Sequence, residues 1–324
     1  MQKVLVVLAV LAGLVGLFWP ANDPAESLLR DYQSRLARTL EQDISIDSLT
    51  PATLLLPRQA RVQTLPEQRT SLGKALKLGE CGLVPGLAKA NNSLGKVAPA
   101  SDQLLLTQEL LAQAKTCKPT DPALAEPLQQ LITHRESLWP RLLNNALIAG
   151  PEWEAYFASN AQALGPEAQI DFSLAALTDW LSEIDPYQPV DRADFNRRLQ
   201  ALSQSNQGAA AIHAHRLVSH YFTRLTPALT ETQICTGPRK VEQRRLAEQV
   251  FASQYLERIQ PWLSNIDKAL RQIEALQATL ETKTGLPTQW LAVDSRFTQF
   301  QKMTREHALA WKGLLERCGI VPGS

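Results

Sequence analysis

Residues 288–318 read TQWLAVDSRFTQFQKMTREHALAWKGLLERC, and the spacing of their apolar positions decides the fold. Positions on one helical face recur every three or four residues, at Trp290, Val293, Phe297, Phe300, Thr304, Ala308, Trp311 and Leu315. This spacing matches the turn of an α-helix and gives the helix a single apolar stripe. The pattern predicts a helix over residues 288–318 that packs along its length against a neighbouring helix.

A second long helical pattern precedes this one. It covers residues 238–282 and is joined to the last helix by Thr284-Gly285-Leu286-Pro287. Glycine readily ends a helix and proline cannot continue one, so this junction predicts a turn. We therefore expect residues 236–324 to form a long C-terminal helical hairpin that packs on the rest of the body.

The chain before the hairpin contains shorter helical patterns. The first covers residues 25–42 and places Leu28, Leu29, Tyr32, Leu36 and Leu40 near one face. Further patterns cover residues 71–90, in pieces, and then 101–116, 122–148, 151–163, 166–184, 191–206 and 208–226. Ser101 is expected to be the N-cap of its helix, because a serine hydroxyl can accept from the first free backbone amides.

Residues 44–66 interrupt the helical patterns. Three prolines punctuate them, at positions 51, 57 and 66. They predict an irregular strap laid across the helices, with a short extended piece at residues 54–56. Because at most two strand-length alternations occur in the whole chain, the sequence predicts an all-α multi-helix bundle stapled by disulfides, with residues 22–235 as a domain of short helices.

The first residues have the composition of an export signal or a membrane anchor. Lys3 precedes an apolar run of 16 residues, Val4–Trp19, and polar residues follow. As a helix this run reaches about 24 Å, shorter than a hydrocarbon core of about 30 Å, which favours a cleaved signal. A cleavage site with small residues is missing, however, because Trp19 or Asp23 would occupy the −3 position.

We therefore expect residues 1–21 to remain as an uncleaved anchor at the inner membrane, with Lys3 inside and the body facing the periplasm. The alternative is cleavage at a poor site, which would release a soluble periplasmic protein.

Four cysteines stand at positions 81, 117, 235 and 318. Outside the cytoplasm, an even number of well-separated cysteines favours disulfides over metal sites. The sequence also lacks the Cys-x-x-Cys pair that is typical of a zinc site. Facing residues of a helical hairpin have their midpoint at the turn, and the midpoint of Cys81 and Cys117 is Pro99, in a predicted loop. Cys235 and Cys318 then pair by default. Their midpoint lies inside a helix, so they are not a simple hairpin pair, and they could meet if that helix breaks at Pro261 and folds back.

The charge balance bears on the class of partner. The 324 residues include 33 Lys and Arg against 32 Asp and Glu, a net charge of +1. Nucleic acid requires a clustered positive field, so the composition argues against a nucleic-acid partner.

The region from Cys81 to Cys117 resembles a known family. The similarity lies in Cys81-Gly82-Leu83, in Asn91-Asn92-Ser93-Leu94-Gly95-Lys96-Val97, and in Pro99, Ser101, Leu104 and Cys117. These residues resemble domain of unknown function 3080, a family of Gram-negative bacteria whose members are often described as lipoproteins. The resemblance implies an envelope location and no particular activity. Leu14 stands where a lipoprotein carries its acylated cysteine, so this chain lacks the thiol that would receive lipid.

The most unusual polar cluster is Asn91, Asn92, Ser93 and Lys96. It could bind a ligand through amide and hydroxyl groups at the tip of a helical hairpin. It could equally be a turn in which Asn and Ser satisfy the free ends of the flanking helices. The structural interpretation is favoured, and it predicts that Leu94 points into the core.

Other chemistry-bearing residues give weaker patterns. His213, His215 and His220 cannot converge on one ion from a single helix, so no metal site and no cofactor is expected. Asp171, Asp179, Glu183 and Asp185 would suit paired carboxylates but have the density of an ordinary exposed surface. Six of the seven Trp lie on apolar stripes, where core packing rather than sugar binding is the expected role.

These observations predict a helical envelope protein that binds an envelope protein or a cell-wall component, or has a structural role, without catalysis. The alternative is a cell-envelope hydrolase that uses paired carboxylates.

Overall fold

The structure, a computed structural model, describes residues 23–66, 78–236, 238–287, 289–292 and 297–320. Over these residues the regular structure is helical, and Leu55 and Leu291 form an isolated antiparallel bridge. The predicted all-α class is confirmed. The expected helical pieces over 71–77 and the N-terminal anchor lie outside the described residues.

The helices are numbered in chain order. They are α1 (Pro24–Leu40), α2 (Arg58–Arg61), α3 (Val84–Asn91), α4 (Ser93–Val97), α5 (Ala100–Thr116), α6 (Ala125–Ile148), α7 (Pro151–Tyr156), α8 (Ser173–Glu183), α9 (Arg192–Ser203), α10 (Gln207–Glu231), α11 (Lys240–Val250), α12 (Gln260–Thr284) and α13 (Thr298–Arg317). Short 3₁₀ turns cover Leu78–Cys81 and Pro122–Leu124, and a π-helical segment, Phe251–Ile259, joins α11 to α12.

The last helix, α13, lies between two neighbours. Against α10 it runs parallel: Phe300 is near His215, His307 stacks on Phe222, and Arg317 donates to the Leu229 carbonyl. Against the α11–α12 helix it runs antiparallel, so the predicted C-terminal hairpin is present. This second packing joins Gln301 to Asp267 and Trp311 to Phe251.

The predicted start of the last helix is wrong. The sequence pattern placed it at residue 288, whereas α13 begins at Thr298, and residues 289–292 are extended. There Leu56 N donates to Trp290 O and Ala292 N donates to Leu54 O, so the strap pairs with this segment. Trp290 is buried with its ring centroid 4.8 Å from that of Trp153. The place of Trp290 in the helical spacing therefore reflects burial of its side chain against α7 rather than helix formation.

Several other boundaries differ from the prediction. The helix predicted over 151–163 ends at Tyr156, and the chain continues through turns until Leu164 N donates to the Ala210 carbonyl. The helix predicted over 166–184 begins only at Ser173, whose backbone N–H donates to the Asp171 side chain. The helix predicted to end at residue 226 continues to Glu231 through Pro227. Helix α5 begins at Ala100 with Pro99 as its N-cap, so the prediction of Ser101 as the cap is wrong.

Both predicted disulfides are present. The Cα atoms of Cys81 and Cys117 are 5.4 Å apart, and those of Cys235 and Cys318 are 5.2 Å apart. The second pair forms without a helix break at Pro261, because the chain stays helical from Lys240 to Thr284 with Pro261 at the start of α12. Cys235 follows α10 and Cys318 follows α13. Since these two helices are parallel, their ends and their cysteines meet on the same side of the molecule.

Apolar side chains form two clusters. The large one draws on α1 and on every helix from α5 to α13, and includes Leu138 and Leu142 of α6. The small one lies under α3 and contains Leu87, Leu106, Leu110, Leu128 and Leu131 beside Cys81. Helices α5 and α6 contribute to both clusters and so connect them.

A buried polar network crosses the large cluster. Trp311 Nε1 donates to Tyr32 Oη at 2.5 Å, Tyr32 Oη lies 2.7 Å from His307 Nε2, and His307 Nδ1 lies 2.8 Å from Thr226 Oγ1. An indole N–H can only donate, so Tyr32 Oη accepts from Trp311 and donates its own O–H to Nε2 of His307. The neutral ring then carries its proton on Nδ1 and donates to Thr226. Complete burial lowers the pKa of His307 to about 3, because burial disfavours the charged ring.

This network predicts acid sensitivity. An unfolded histidine takes up a proton near pH 6.5, while folded His307 stays neutral to about pH 3, so stability falls as the pH drops through this window. His307→Gln can keep both hydrogen bonds and does not titrate. Between pH 7 and pH 5 the parent should lose about 2 kcal/mol more unfolding free energy than this variant. Urea unfolding at both pH values measures the difference.

The matched control is His220→Gln. The His220 ring contacts the Asp47 carbonyl outside the network. This variant should keep the acid sensitivity of the parent. Equal pH dependence of the His307→Gln variant and the parent would contradict the assignment of a buried neutral ring.

Candidate functional site

The candidate site is a cleft of about 470 Å³ where the α3–α4 tip faces α5 and α6. The strap closes one end through Leu65 and Pro66. The remaining lining comes from the tip (Ala90, Asn91, Gly95 and Lys96), from α5 (Gln103, Leu106 and Thr107) and from α6 (His134, Arg135, Leu138 and Leu142).

The cleft opens at the junction of the two apolar clusters. Leu128 and Leu131 of α6 belong to the small cluster, and Leu138 and Leu142 belong to the large one. Arg135 lies between these pairs on the same helical stripe. A charged residue therefore stands at the point where an apolar side chain would join the two clusters.

The tip is held close to α5 and α6. A Cβ at Gly86 would lie 2.7 Å from Leu110 Cδ2, so a larger residue there would displace the Leu110 side chain where α3 packs on α5. The Cys81–Cys117 disulfide joins the segment before α3 to the end of α5. At the end of α4, Gln103 Nε2 of α5 donates to the Ala98 carbonyl at 2.9 Å. These contacts fix the width of the cleft.

Asn92 has a structural role at the tip. It is the N-cap of α4, and its Oδ1 accepts from Gly95 N at 2.6 Å. A Cβ at Gly95 would clash with the Lys89 carbonyl oxygen, which explains the glycine. The prediction for Leu94 is wrong: the side chain is 79% exposed. The core beneath the tip is filled by Leu87, Leu106 and Leu110, and α4 turns Leu94 outward.

The four predicted site residues do not lie in a single cleft. Asn91 and Lys96 line the cleft. Asn92 lines a second cleft of about 430 Å³ on the other side of the tip, where the ion pair of Arg192 and Asp102 is found. Ser93 is exposed and is in the lining of neither cleft.

Positive charge distinguishes the first cleft. Lys96 and Arg135 line it, His134 is half-buried beside them, and no Asp or Glu occurs among the described residues of its lining. Burial, and then the neighbouring Arg135 charge, lower the pKa of His134. Burial also lowers the pKa of Arg135, yet a guanidinium stays protonated in proteins near neutral pH.

Arg135 has no partner in the part of the chain that the structure describes. The residue is 8% exposed, its Nε is enclosed, and among the described residues no hydrogen bond or ion pair reaches the guanidinium. Arg61 is equally buried but fully engaged. Its Nη2 lies 2.7 Å from Glu154 Oε1, its Nε donates to the Leu56 carbonyl, and its Nη1 donates to the Ile148 carbonyl.

His134 and Arg135 are not among the site residues predicted from the sequence. One sequence feature could have identified Arg135. Residues 128, 131, 135, 138 and 142 are spaced as one helical stripe, and Arg135 is the only charged member of that stripe. A charged side chain inside a buried apolar stripe is costly unless a partner compensates its charge.

The other candidate residues lie elsewhere. Asp171 Oδ1 accepts from Ser173 N, and Asp185 Oδ1 accepts from Tyr187 N, so both carboxylates hold backbone turns. Asp179 and Glu183 are exposed on α8. His220 contacts the Asp47 carbonyl, and no group of three metal-binding side chains occurs among the described residues. Five of the Trp residues are buried in the core, at positions 139, 153, 262, 290 and 311.

A family model described as "Protein of unknown function (DUF3080)" matches residues 29–322. The match covers most of the chain, so the chain belongs to this family. No curated protein matches the sequence, and no solved structure matches the fold. Over the residues described, no helix is both long enough and apolar enough to span a bilayer.

The cap at the tip predicts a stability effect. Asn92→Ala removes the acceptor for Gly95 N and should lower the unfolding free energy by about 1 kcal/mol, the usual cost of a lost cap. Gly95→Ala should cost more, because its Cβ meets the Lys89 carbonyl. Urea unfolding measures both changes, and Ser93→Ala, next to the cap, serves as the control. An Asn92→Ala protein as stable as the parent would contradict the structural role.

Proposed function

We propose that this DUF3080 protein is a non-enzymatic binding or structural protein of the cell envelope, held at the inner membrane by its N-terminal segment and facing the periplasm. Its partner is an envelope protein or a cell-wall component. The observation that carries the proposal is the pair of disulfides, Cys81–Cys117 and Cys235–Cys318. Disulfides form and persist in oxidising compartments and are rare in the cytosol.

The N-terminal sequence supports the same location. Lys3 followed by the apolar run Val4–Trp19 fits a segment that enters the membrane with its amino terminus inside. The poor cleavage positions, Trp19 and Asp23, favour retention of this segment over its removal.

The chemistry of the cleft supports binding over hydrolysis. A glycosidase-type hydrolase places two carboxyl groups on either side of the bond that it cleaves. Within the described part of the chain no Asp or Glu lines the cleft, and Asp171 and Asp185 accept hydrogen bonds from backbone amides at turns. A concave site with apolar walls and a few converging polar groups is what a small ligand requires.

The location is tested with a pair of leucine-to-arginine variants. Leu14→Arg places a charge in the middle of the apolar run, which should block export and leave the four cysteines reduced. Leu94→Arg places the same charge at a surface position that is 79% exposed, and it should be exported with both disulfides formed. Membrane fractionation, intact mass and non-reducing peptide mapping give the readouts. The parent should be recovered in the inner-membrane fraction at its uncleaved mass.

Two results would count against the proposal. A parent protein found only in the cytosol, with free thiols, would overturn the envelope location. A soluble mature species that begins near Asn22 or Glu26 would overturn the anchor and leave a periplasmic protein.

A further inference from the structure

Arg135 carries a charge that the described structure does not compensate. It is 8% exposed, and no described carboxylate or carbonyl bonds to its guanidinium. A buried charge without a partner destabilises a protein, and a well-packed apolar side chain at the same position is often more favourable. Arg61 is a buried arginine with a structural role, and its guanidinium bonds to one carboxylate and two backbone carbonyls. The contrast suggests that the partner of Arg135 is a ligand.

The walls of the cleft restrict the chemistry of that ligand. Lys96 and Arg135 contribute positive charge, and no acidic side chain opposes them among the lining residues that the structure describes. Leu138 and Leu142 continue the α6 wall, and Leu65 of the strap closes it. Arg135 and Leu142 are seven residues apart, which is about 10 Å along a helix. A charged end and an apolar end are therefore separated by the length of a short alkyl chain.

We propose that this cleft binds a small amphiphilic anion, whose carboxylate or phosphate group pairs with Arg135 and whose apolar chain lies along Leu138 and Leu142. The proposal assigns a ligand class to the binding function proposed above and rests on it. The volume of about 470 Å³ lies within the range of small-molecule sites, about 300–1,000 Å³.

The fork of N–H groups on a guanidinium matches both oxygens of a carboxylate or two oxygens of a phosphate. Lys96, which is exposed, adds a second positive charge at the mouth. The amides of Asn91 and Gln103 also line the cleft and can donate to further oxygens, although Gln103 already bonds to the Ala98 carbonyl. Anionic recognition thus depends first on Arg135.

Binding is tested with the full chain in nanodiscs of neutral phosphatidylcholine. Isothermal titration compares hexyl phosphate, hexanoate, hexan-1-ol and inorganic phosphate, and empty nanodiscs correct for partitioning into lipid. At least one of the two amphiphilic anions should bind, at least tenfold more tightly than hexan-1-ol and inorganic phosphate. The stronger of the two anions identifies the headgroup. Equal binding of hexan-1-ol would overturn anionic recognition, and equal binding of inorganic phosphate would overturn the role of the apolar chain.

The first variant removes the guanidinium. Arg135→Met should weaken binding of the preferred anion at least tenfold, because it leaves the anion without its partner. Lys89→Met is the matched control: Lys89 is exposed and lies outside the lining of this cleft, so affinity should be unchanged. Unchanged affinity in Arg135→Met would overturn the proposal.

A stability readout separates binding from a structural role. Without ligand, Arg135→Met should unfold at the same temperature as the parent or a higher one, because it removes an uncompensated buried charge. Arg61→Met should unfold at a lower temperature, because it leaves Glu154 and two carbonyls without their partner. Thermal unfolding followed by Trp fluorescence measures both. A loss of stability in Arg135→Met as large as that in Arg61→Met would assign Arg135 to the scaffold and overturn the proposal.

Failure of this inference and failure of the proposed function give different results. Absence of anion binding in a chain that is exported, anchored and disulfide-bonded overturns only the ligand class. A cytosolic, reduced chain overturns the proposed location whatever the titration shows.

Discussion

The buried hydrogen-bond chain through Trp311, Tyr32, His307 and Thr226 is the constraint on which the architecture depends. It joins α1, α10 and α13, and Tyr32 and His307 are 275 residues apart in the sequence. Buried polar groups are costly unless every member is satisfied, so the three helices can meet in few arrangements. The one observed makes α10 and α13 parallel. The second disulfide is a consequence, because parallel helices bring Cys235 and Cys318 to the same end.

The cleft depends on that frame through α6. The C-terminal half of this helix packs in the large apolar cluster with α7 and α12, and its N-terminal half packs with α5 in the small cluster beneath the tip. One rigid helix therefore spans two packing units, and the first disulfide holds the small unit together. Where the units meet, the stripe of α6 carries Arg135 instead of an apolar residue. A gap between two well-packed clusters offers a site whose walls are fixed before a ligand arrives, which lowers the entropy lost on binding.

The two buried arginines show how burial alone fails to define a role. Arg61 ties the strap to the end of α6 and to α7 through three partners, and its charge is part of the scaffold. Arg135 is buried to a similar degree, but no carboxylate or carbonyl of the described chain bonds to its guanidinium. Because proteins often keep destabilising groups at functional sites, this difference in hydrogen bonding, rather than the residue type, identifies the cleft as the place to look for a ligand.

The sequence by itself determined the all-α class, the C-terminal hairpin, the buried face of α1 and the Cys81–Cys117 pairing. These depend on the period of the helix and on turns between neighbouring segments, and both are local properties of a chain. Only the tertiary structure decided that residues 289–292 pair with the strap, that Leu94 faces solvent and that Cys235 meets Cys318 without a break at Pro261. It also decided which buried arginine has partners. Each of these outcomes depends on segments far apart in the sequence, and helical periodicity carries no information about which distant surfaces will meet.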